Sequence, residues 1–253
     1  MRGRQSGVSR ILVGVGIVVL VLLLGVGGAA VAKVGPFASS GSTASGGGAG
    51  ASGPSKPSDA KQAVADAVGR TANFKDVKYT LTFTYSSATV PKIDSVTQIS
   101  GTKSPMMVYN QSTDNAGKKF ETILNGANNV FCTRPEGSPA QRFPNQKFSP
   151  DFADPFSGLV TAGLSWKFLD DVDLNGHKAW HLMSDVSLTV GTPNPNNIKI
   201  DVNTTEVWID SRSGKIEKRL DHQTGSENSV KYERTSTDTG FVYDTGVTIP
   251  PCV

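Results

Sequence analysis

Nine residues constrain this chain more than any other stretch. Val77-Lys78-Tyr79-Thr80-Leu81-Thr82-Phe83-Thr84-Tyr85 places an apolar or aromatic side chain at every odd position and Lys or Thr at every even one. Successive side chains of an extended backbone point to opposite faces, so this period of two specifies a strand with one buried face and one wetted face. A strand of that kind needs antiparallel partners.

The partners are legible as further strands at 93–99, 106–110, 119–124, 129–133, 197–210, 215–220, 229–234 and 241–249, with turns around Asn125-Gly126 and Ser211-Arg212-Ser213-Gly214. The sharpest turn is Asn175-Gly176, since a type I′ hairpin needs positive φ at both central residues. A two-residue turn there pairs Leu174 with His177, Val172 with Ala179, Asp170 with His181 and Phe168 with Met183. Directly opposed residues share a face. One face is therefore expected to carry Phe168, Val172, Leu174, Ala179 and Met183, with an Asp170/His181 pair among them.

Little in this hairpin points to chemistry. His177 and His181 lie roughly 13 Å apart on a strand, too far to share one metal ion. Asp170 beside His181 could orient an imidazole as a hydrolase does, but no nucleophile is near in sequence, and no GxSxG, HExxH, P-loop or GxGxxG context occurs. The expectation is a satisfied cross-strand pair, no catalytic residue, no metal and no cofactor.

Two helices are predicted. Asp59 is placed as N-cap and Gln62 as the reciprocal member of a capping box. Ala60, Ala63, Val64, Ala67 and Val68 then form one apolar face of small side chains that can lie close against a sheet. A second helix is expected from Asp154-Pro155, with Phe156, Leu159, Val160 and Leu164 along one side. The block 134–150 is Pro-rich and read as irregular. Many antiparallel strands with one or two short helices make an α+β fold.

The amino terminus bears on location. Arg2, Arg4 and Arg10 precede 22 uncharged residues, 11–32, rich in Val, Leu and Ile. As a helix this run is about 33 Å long, enough for a bilayer core of about 30 Å. The positive flank places residues 1–10 in the cytoplasm and everything after Lys33 outside. Ala30-Val31-Ala32 also has the form of a signal-peptidase site, so retained anchor and cleaved signal both stand. Residues 33–57 are dominated by Gly, Ser and Ala and read as a flexible tether of about 25–30 Å. Residues 58–253 form one domain. The first 57 residues hold five of the 25 basic residues and none of the 22 acidic ones, leaving 20 against 22 in the folded part. Nucleic acid is excluded as a partner on that balance. Cys132 and Cys252 are the only cysteines, and an extracytoplasmic compartment permits them to pair.

The order of elements resembles a known superfamily. An amphipathic first helix, meandering strands, a mid-chain Asp-Pro helix, a hairpin ending in Trp180-His181-Leu182, then Val207-Trp208-Ile209-Asp210, Lys215-Ile216-Glu217-Lys218-Arg219 and Tyr243-Asp244-Thr245-Gly246-Val247-Thr248-Ile249-Pro250 are similar to the LolA/LppX/LprG-like extracytoplasmic lipid and lipoprotein carriers. The resemblance implies a strongly curved, half-open antiparallel sheet, an incomplete barrel, with short helices over a concave face that holds acyl chains. It makes Val77, Tyr79, Leu81, Phe83, Tyr85, Phe168, Val172, Leu174 and Met183 candidates for that lining. Trp208 falls on the opposite face, with Glu206 and Asp210.

The function so implied is a membrane-tethered binding protein, single-pass through 11–32, for a lipid or acyl-chain ligand, with lipoproteins or envelope transport proteins as possible partners and no covalent chemistry. The alternative is an envelope sensor or protein-interaction ectodomain on the same fold.

Overall fold

The computed structural model describes residues 54–146, 154–160, 164–185 and 197–252. By its contacts the chain divides into residues 1–50 and 51–253, and the architecture below belongs to the second. Among the described residues no helix is long and apolar enough to cross a membrane; the segment expected to do so, 11–32, lies outside them, as do 1–10 and most of the tether.

Helix α1 (Ala60–Thr71) buries Ala60, Ala63, Val64, Ala67, Val68 and Thr71, the face its sequence period specifies. The Asp59 side chain accepts from the Lys61 N–H, but Gln62 Nε2 donates to Asp66 instead of returning to the cap. The cap is therefore one-sided, an Asx cap without the reciprocal half of the box.

Twelve strands follow: β1 (Asp76–Ser87), β2 (Ile93–Lys103), β3 (Met106–Thr113), β4 (Lys119–Asn125), β5 (Val130–Pro135), β6 (Gln141–Phe143), β7 (Ser165–Phe168), β8 (Val172–Leu174), β9 (His177–Asp185), β10 (Lys199–Asp210), β11 (Ile216–Glu227) and β12 (Val230–Tyr243). They form one antiparallel sheet in the order β6-β5-β4-β3-β2-β1-β12-β11-β10-β9-β7, with β8 also on β9. The sheet is open, since β6 and β7 do not pair with each other. At this width ordinary strand twist coils a sheet instead of leaving it flat. β1 and β12 close the meander: Val77 lies opposite Tyr243 and Phe83 opposite Ser236.

Four expectations change. Residues 141–143, read as irregular, add β6 to β5. The two strands expected at 229–234 and 241–249 are one long strand, β12, because the Thr- and Ser-rich stretch between them continues the pairing with β1 and β11. In place of an α-helix after Asp154-Pro155, Ser157–Val160 form a 3₁₀ turn that buries Phe156 and Leu159 and leaves Val160 exposed.

The fourth correction concerns the Asn-Gly hairpin. Asn175 and Gly176 both have positive φ, and Leu174 and Val172 pair with His177 and Ala179 as expected. Beyond Val172 the register slips: Phe168 lies opposite Leu182, not Met183, and the Leu169 N–H donates to the His181 carbonyl. Residues 169–171 thus hold one more residue than the β9 segment they face, a bulge that moves every earlier side chain to the other face. The Asp170/His181 pair does not form. His181 Nε2 instead meets Glu206 Oε2 at 2.6 Å, and its ring stacks on Trp208 at 4.3 Å.

The core sits between α1 and one half of the sheet. Small residues on α1 let it approach Trp180, Leu182, Val207, Ile209 and Ile216, with Phe156 and Leu159 filling the flank. Each fully buried Leu, Val or Ile there stabilises the fold by about 1.5–3 kcal/mol. The side of the sheet that faces α1 is called the inner face below. On the outer face Ile123, Val130 and Cys132 pack with Tyr109, Ile249 and Cys252 from the carboxyl-terminal tail. Asp76 holds the start of that tail by accepting from the Thr245 and Gly246 N–H groups, and the Cys132–Cys252 disulfide holds its end.

Candidate functional site

Register decides which expected residues meet. Tyr243 and Phe241 pack on the core under α1, so their neighbours Val77 and Tyr79 share the inner face, and Leu81, Phe83 and Tyr85 follow on the same side of β1. The row continues across β2 to β5 through Ile99, Val108, Leu124 and Phe131, all buried. Phe168 joins this face through its pairing with Leu182. Val172, Leu174 and Met183 do not: they share the outer face with Ala179, and Met183 lies opposite Glu206 and Lys167. The nine candidates therefore divide six to three, and the bulge at 169–171 is what carries Phe168 to the inner group.

Aromatic rings line the inner face along β1 and β12. Tyr79 stacks on Phe241 at 5.1 Å, Phe241 meets Phe156 at 4.8 Å, and Tyr85 stacks on Tyr232 at 6.1 Å. Tyr79, Leu81 and Tyr85 remain half-buried, whereas Val77 and Phe83 are buried.

The same face holds half-buried charge. Arg219 lies opposite Asp238, and Asp221 opposite Ser236. Arg219 forms an ion pair with Asp221 at 2.9 Å, without hydrogen-bond alignment at Nε, and donates from Nη1 to the Pro155 carbonyl at 2.7 Å. Burial pushes the Asp238 carboxyl up to about 7, against the pull of Arg219 and with the help of Asp221. Burial also drives the Tyr79 hydroxyl upward, reinforced by Asp238. Three further polar atoms are unpaired on β3 and β4: both side-chain ends of Asn110 and the Thr122 hydroxyl. Tyr79 apart, none of these groups is visible as a site in the sequence, because a Thr, Asn or Asp in an alternating strand reads as outward until the register is known.

The outer face has its own cluster. His177, Asp210 and Glu217, from β9, β10 and β11, bring one ligand atom each within 4.8 Å of one another. The spacing of His177 and His181 gives no sign of this cluster, since Glu217 lies 40 residues beyond His177. His177 Nε2 meets Glu217 at 2.7 Å, and Asp210 accepts from the N–H groups of Arg212 and Ser213. Although burial works against its charge, those bonds and His177 hold Asp210 below the usual carboxylate range. The cluster ties β9 to the β10–β11 turn. Trp208 lies on this face as expected, capped by Lys218 at 4.1 Å.

Two clefts among the described residues are small. One, beside Cys132, Pro251 and Cys252, encloses about 10 Å³; the other, beside Pro54, Ala67, Arg70 and Trp180, about 30 Å³. Each has room for about one water molecule and neither for an acyl chain.

No protein family and no curated protein sequence matches the chain. Among solved structures it is similar to lipoprotein LppX of Mycobacterium tuberculosis, at 11% identity and a TM-score of 0.49, over 75% of this chain and 97% of that one. It is also similar to a LolA superfamily protein of Nitrosomonas europaea, at 6% identity and a TM-score of 0.32, over 77% and 96%. In outline, the chain is similar to LppX- and LolA-type structures. At these identities no residue role passes from either protein to this one.

Proposed function

We propose that the protein binds lipids or lipid-modified proteins by laying acyl chains along the inner face of its sheet, without covalent chemistry. The observation that carries this is the reach of that face. Helix α1 packs against β7, β11 and the 3₁₀ turn, while the apolar and aromatic row runs on through Leu81, Phe83 and Tyr85 to Ile99, Val108, Leu124 and Phe131. An acyl chain placed against such a row gains about 0.8 kcal/mol per buried methylene.

Segment 11–32 serves in this reading as a retained anchor and 33–57 as the tether, so exchange is confined to the protein's own membrane. The Cys132–Cys252 bond supports an oxidising, extracytoplasmic setting for the domain. Lipoproteins and envelope transport proteins are the corresponding macromolecular partners.

Native mass spectrometry of the full chain from an oxidising compartment, before and after organic extraction, tests the proposal. A discrete mass increment that extraction removes, and that Phe83→Ser abolishes while circular dichroism is unchanged, is the expected result. A chain of bare formula mass that takes up no acyl reporter would sink the proposal in favour of a sensor or protein-interaction ectodomain.

A further inference from the structure

The expectation of no metal ion rests on two histidines of one strand, and the register assembles a different trio on the outer face. Asp210 lies opposite Ala179, which makes His177, two residues before Ala179, its diagonal neighbour. Glu217 joins them through a bulge. Trp208 lies opposite Lys218 and Ile209 opposite Ile216, so β11 carries one residue more than β10 between those pairs. Ile216 and Arg219 face inward with Ile209 and Val207, and the extra residue turns both Glu217 and Lys218 outward. A bulge interrupts the ladder and re-aims a side chain. Lys218 covers the Trp208 ring, and Glu217 comes to lie beside His177.

The three side chains converge. His177 Nε2 is 2.7 Å from Glu217 Oε2 and 3.7 Å from Asp210 Oδ1. Ligand atoms no more than 4.8 Å apart leave a point no more than about 2.8 Å from each, and small inward rotations bring that to the roughly 2.0–2.2 Å of zinc bonds to imidazole and carboxylate. Among the described residues no other three His, Cys, Asp or Glu side chains meet in this way. The His177 and Asp210 side chains are 9% and 7% exposed and that of Glu217 25%, so water reaches the trio on the Glu217 side. The Arg212 and Ser213 N–H groups orient the Asp210 carboxylate as outer contacts orient a metal ligand, and each oxygen keeps a second lone pair.

We propose that His177, Asp210 and Glu217 bind a divalent transition-metal ion of the zinc type, on the face of the sheet away from the acyl row and independently of that reading. The donor set selects the ion. One imidazole nitrogen and two carboxylates carry two negative charges when the imidazole is neutral, which a divalent cation matches. The nitrogen disfavours magnesium and calcium, which take oxygen ligands. Three protein ligands leave the fourth tetrahedral position to water. On binding, His177 offers the Nε2 lone pair with its proton on Nδ1, and its hydrogen bond to Glu217 is exchanged for a shared ion. Arg212 works against this, with Nε 3.4 Å from Asp210 Oδ1, but its side chain is 67% exposed and can turn out to water as the ion enters. The bound ion clamps β9 to the β10–β11 turn.

The test titrates the full chain, without an affinity tag and in a neutral detergent, with zinc against a fluorescent chelator after the protein has been stripped of metal. One zinc per chain is expected, and calcium or magnesium at the same concentration does not displace it. His177→Gln and Glu217→Gln should each weaken zinc binding by about a hundredfold or more, the upper end of what loss of a supporting contact does. His222→Gln, which removes the separate His222–Glu233 pair, should leave it unchanged. Arg212→Gln should tighten it severalfold by removing a nearby positive charge, a gain that a loosened fold would not produce. Circular dichroism checks each variant, and either ligand substitution suffices if the other folds poorly. A chain that takes no zinc from the chelator, uptake undiminished in His177→Gln or Glu217→Gln, or calcium competing as well as zinc overturns the site and leaves the trio a hydrogen-bonded network.

Discussion

The two halves of the inner face share one sheet and are built on opposite principles. Under α1 the wall is apolar and closed: Trp180, Leu182, Val207 and Ile209 are buried, and side chains of the helix, Phe156 and Leu159 pack against them. From the middle of β11 across β12 and β1 to β5 the wall mixes aromatic and aliphatic residues with groups that are costly to bury, Arg219, Asp221, Asp238, Asn110 and Thr122. A face devoted only to stability would not need the second set. On the proposed function, the contrast separates the half that holds the fold from the half that receives the ligand.

The largest expected effect breaks the first half. Leu182→Ala should lower unfolding free energy by about 3 kcal/mol, read by urea denaturation, since a fully buried leucine leaves a cavity that a packed helix and sheet cannot collapse. A loss under about 1 kcal/mol would mean that the helix-covered half is not the core.

Next comes the pH dependence of the second half. Asp238 ordinarily titrates near 3.8 and is pushed to about 7 here. Between those values the native state holds a proton that the unfolded chain has released. This group's contribution to stability therefore falls as pH rises across the window, and its full cost is present above about pH 7. Asp238→Asn should make stability less dependent on pH between about 4 and 7 while leaving the Arg219–Asp221 pair in place. An unchanged slope in urea titrations across that range would show that the carboxyl is better solvated than its burial implies.

A smaller effect carries the opposite sign. Replacing Asn110 by Leu and Thr122 by Val should raise stability by about 1 kcal/mol, because three unpaired buried polar atoms give way to apolar ones of similar volume. A loss of stability in thermal unfolding would show that these atoms are bonded in solution. Smallest is the α1 cap: Asp59→Ala should cost about 0.5–1 kcal/mol, the low end for a cap whose reciprocal bond is missing.

Legibility in the sequence follows the same division. The α1 face is found as read, and on β1 the period shows where Val77 and Phe83 are buried and Lys78 and Thr82 exposed, while Thr80 and Thr84 are half-buried like Tyr79, Leu81 and Tyr85. The Asn175-Gly176 turn is equally local and holds. The bulge at 169–171 is not local: an extra residue changes nothing in composition, yet it carries Phe168 inward while Val172, Leu174 and Met183 stay on the outer face. The continuous β12 was hidden because Thr235 to Gly240 resemble a turn and are held extended by β1 and β11. Asn110, Asp238 and the His177–Asp210–Glu217 cluster were hidden for a related reason. Their partners are separated by whole strands, and only the register brings them together.

The carboxyl-terminal tail has a mechanical consequence. It leaves β12, is gripped by Asp76 on β1, and ends in a covalent bond to β5, so it runs as a chord across the outer side of the strands from β12 to β5. A chord of fixed length limits how far the strands beneath it can splay. The aperture of the polar half of the inner face is thus set from behind, by residues that never touch what lies in front, and a reductant acting on Cys132–Cys252 would loosen that half while the helix-covered half keeps its grip.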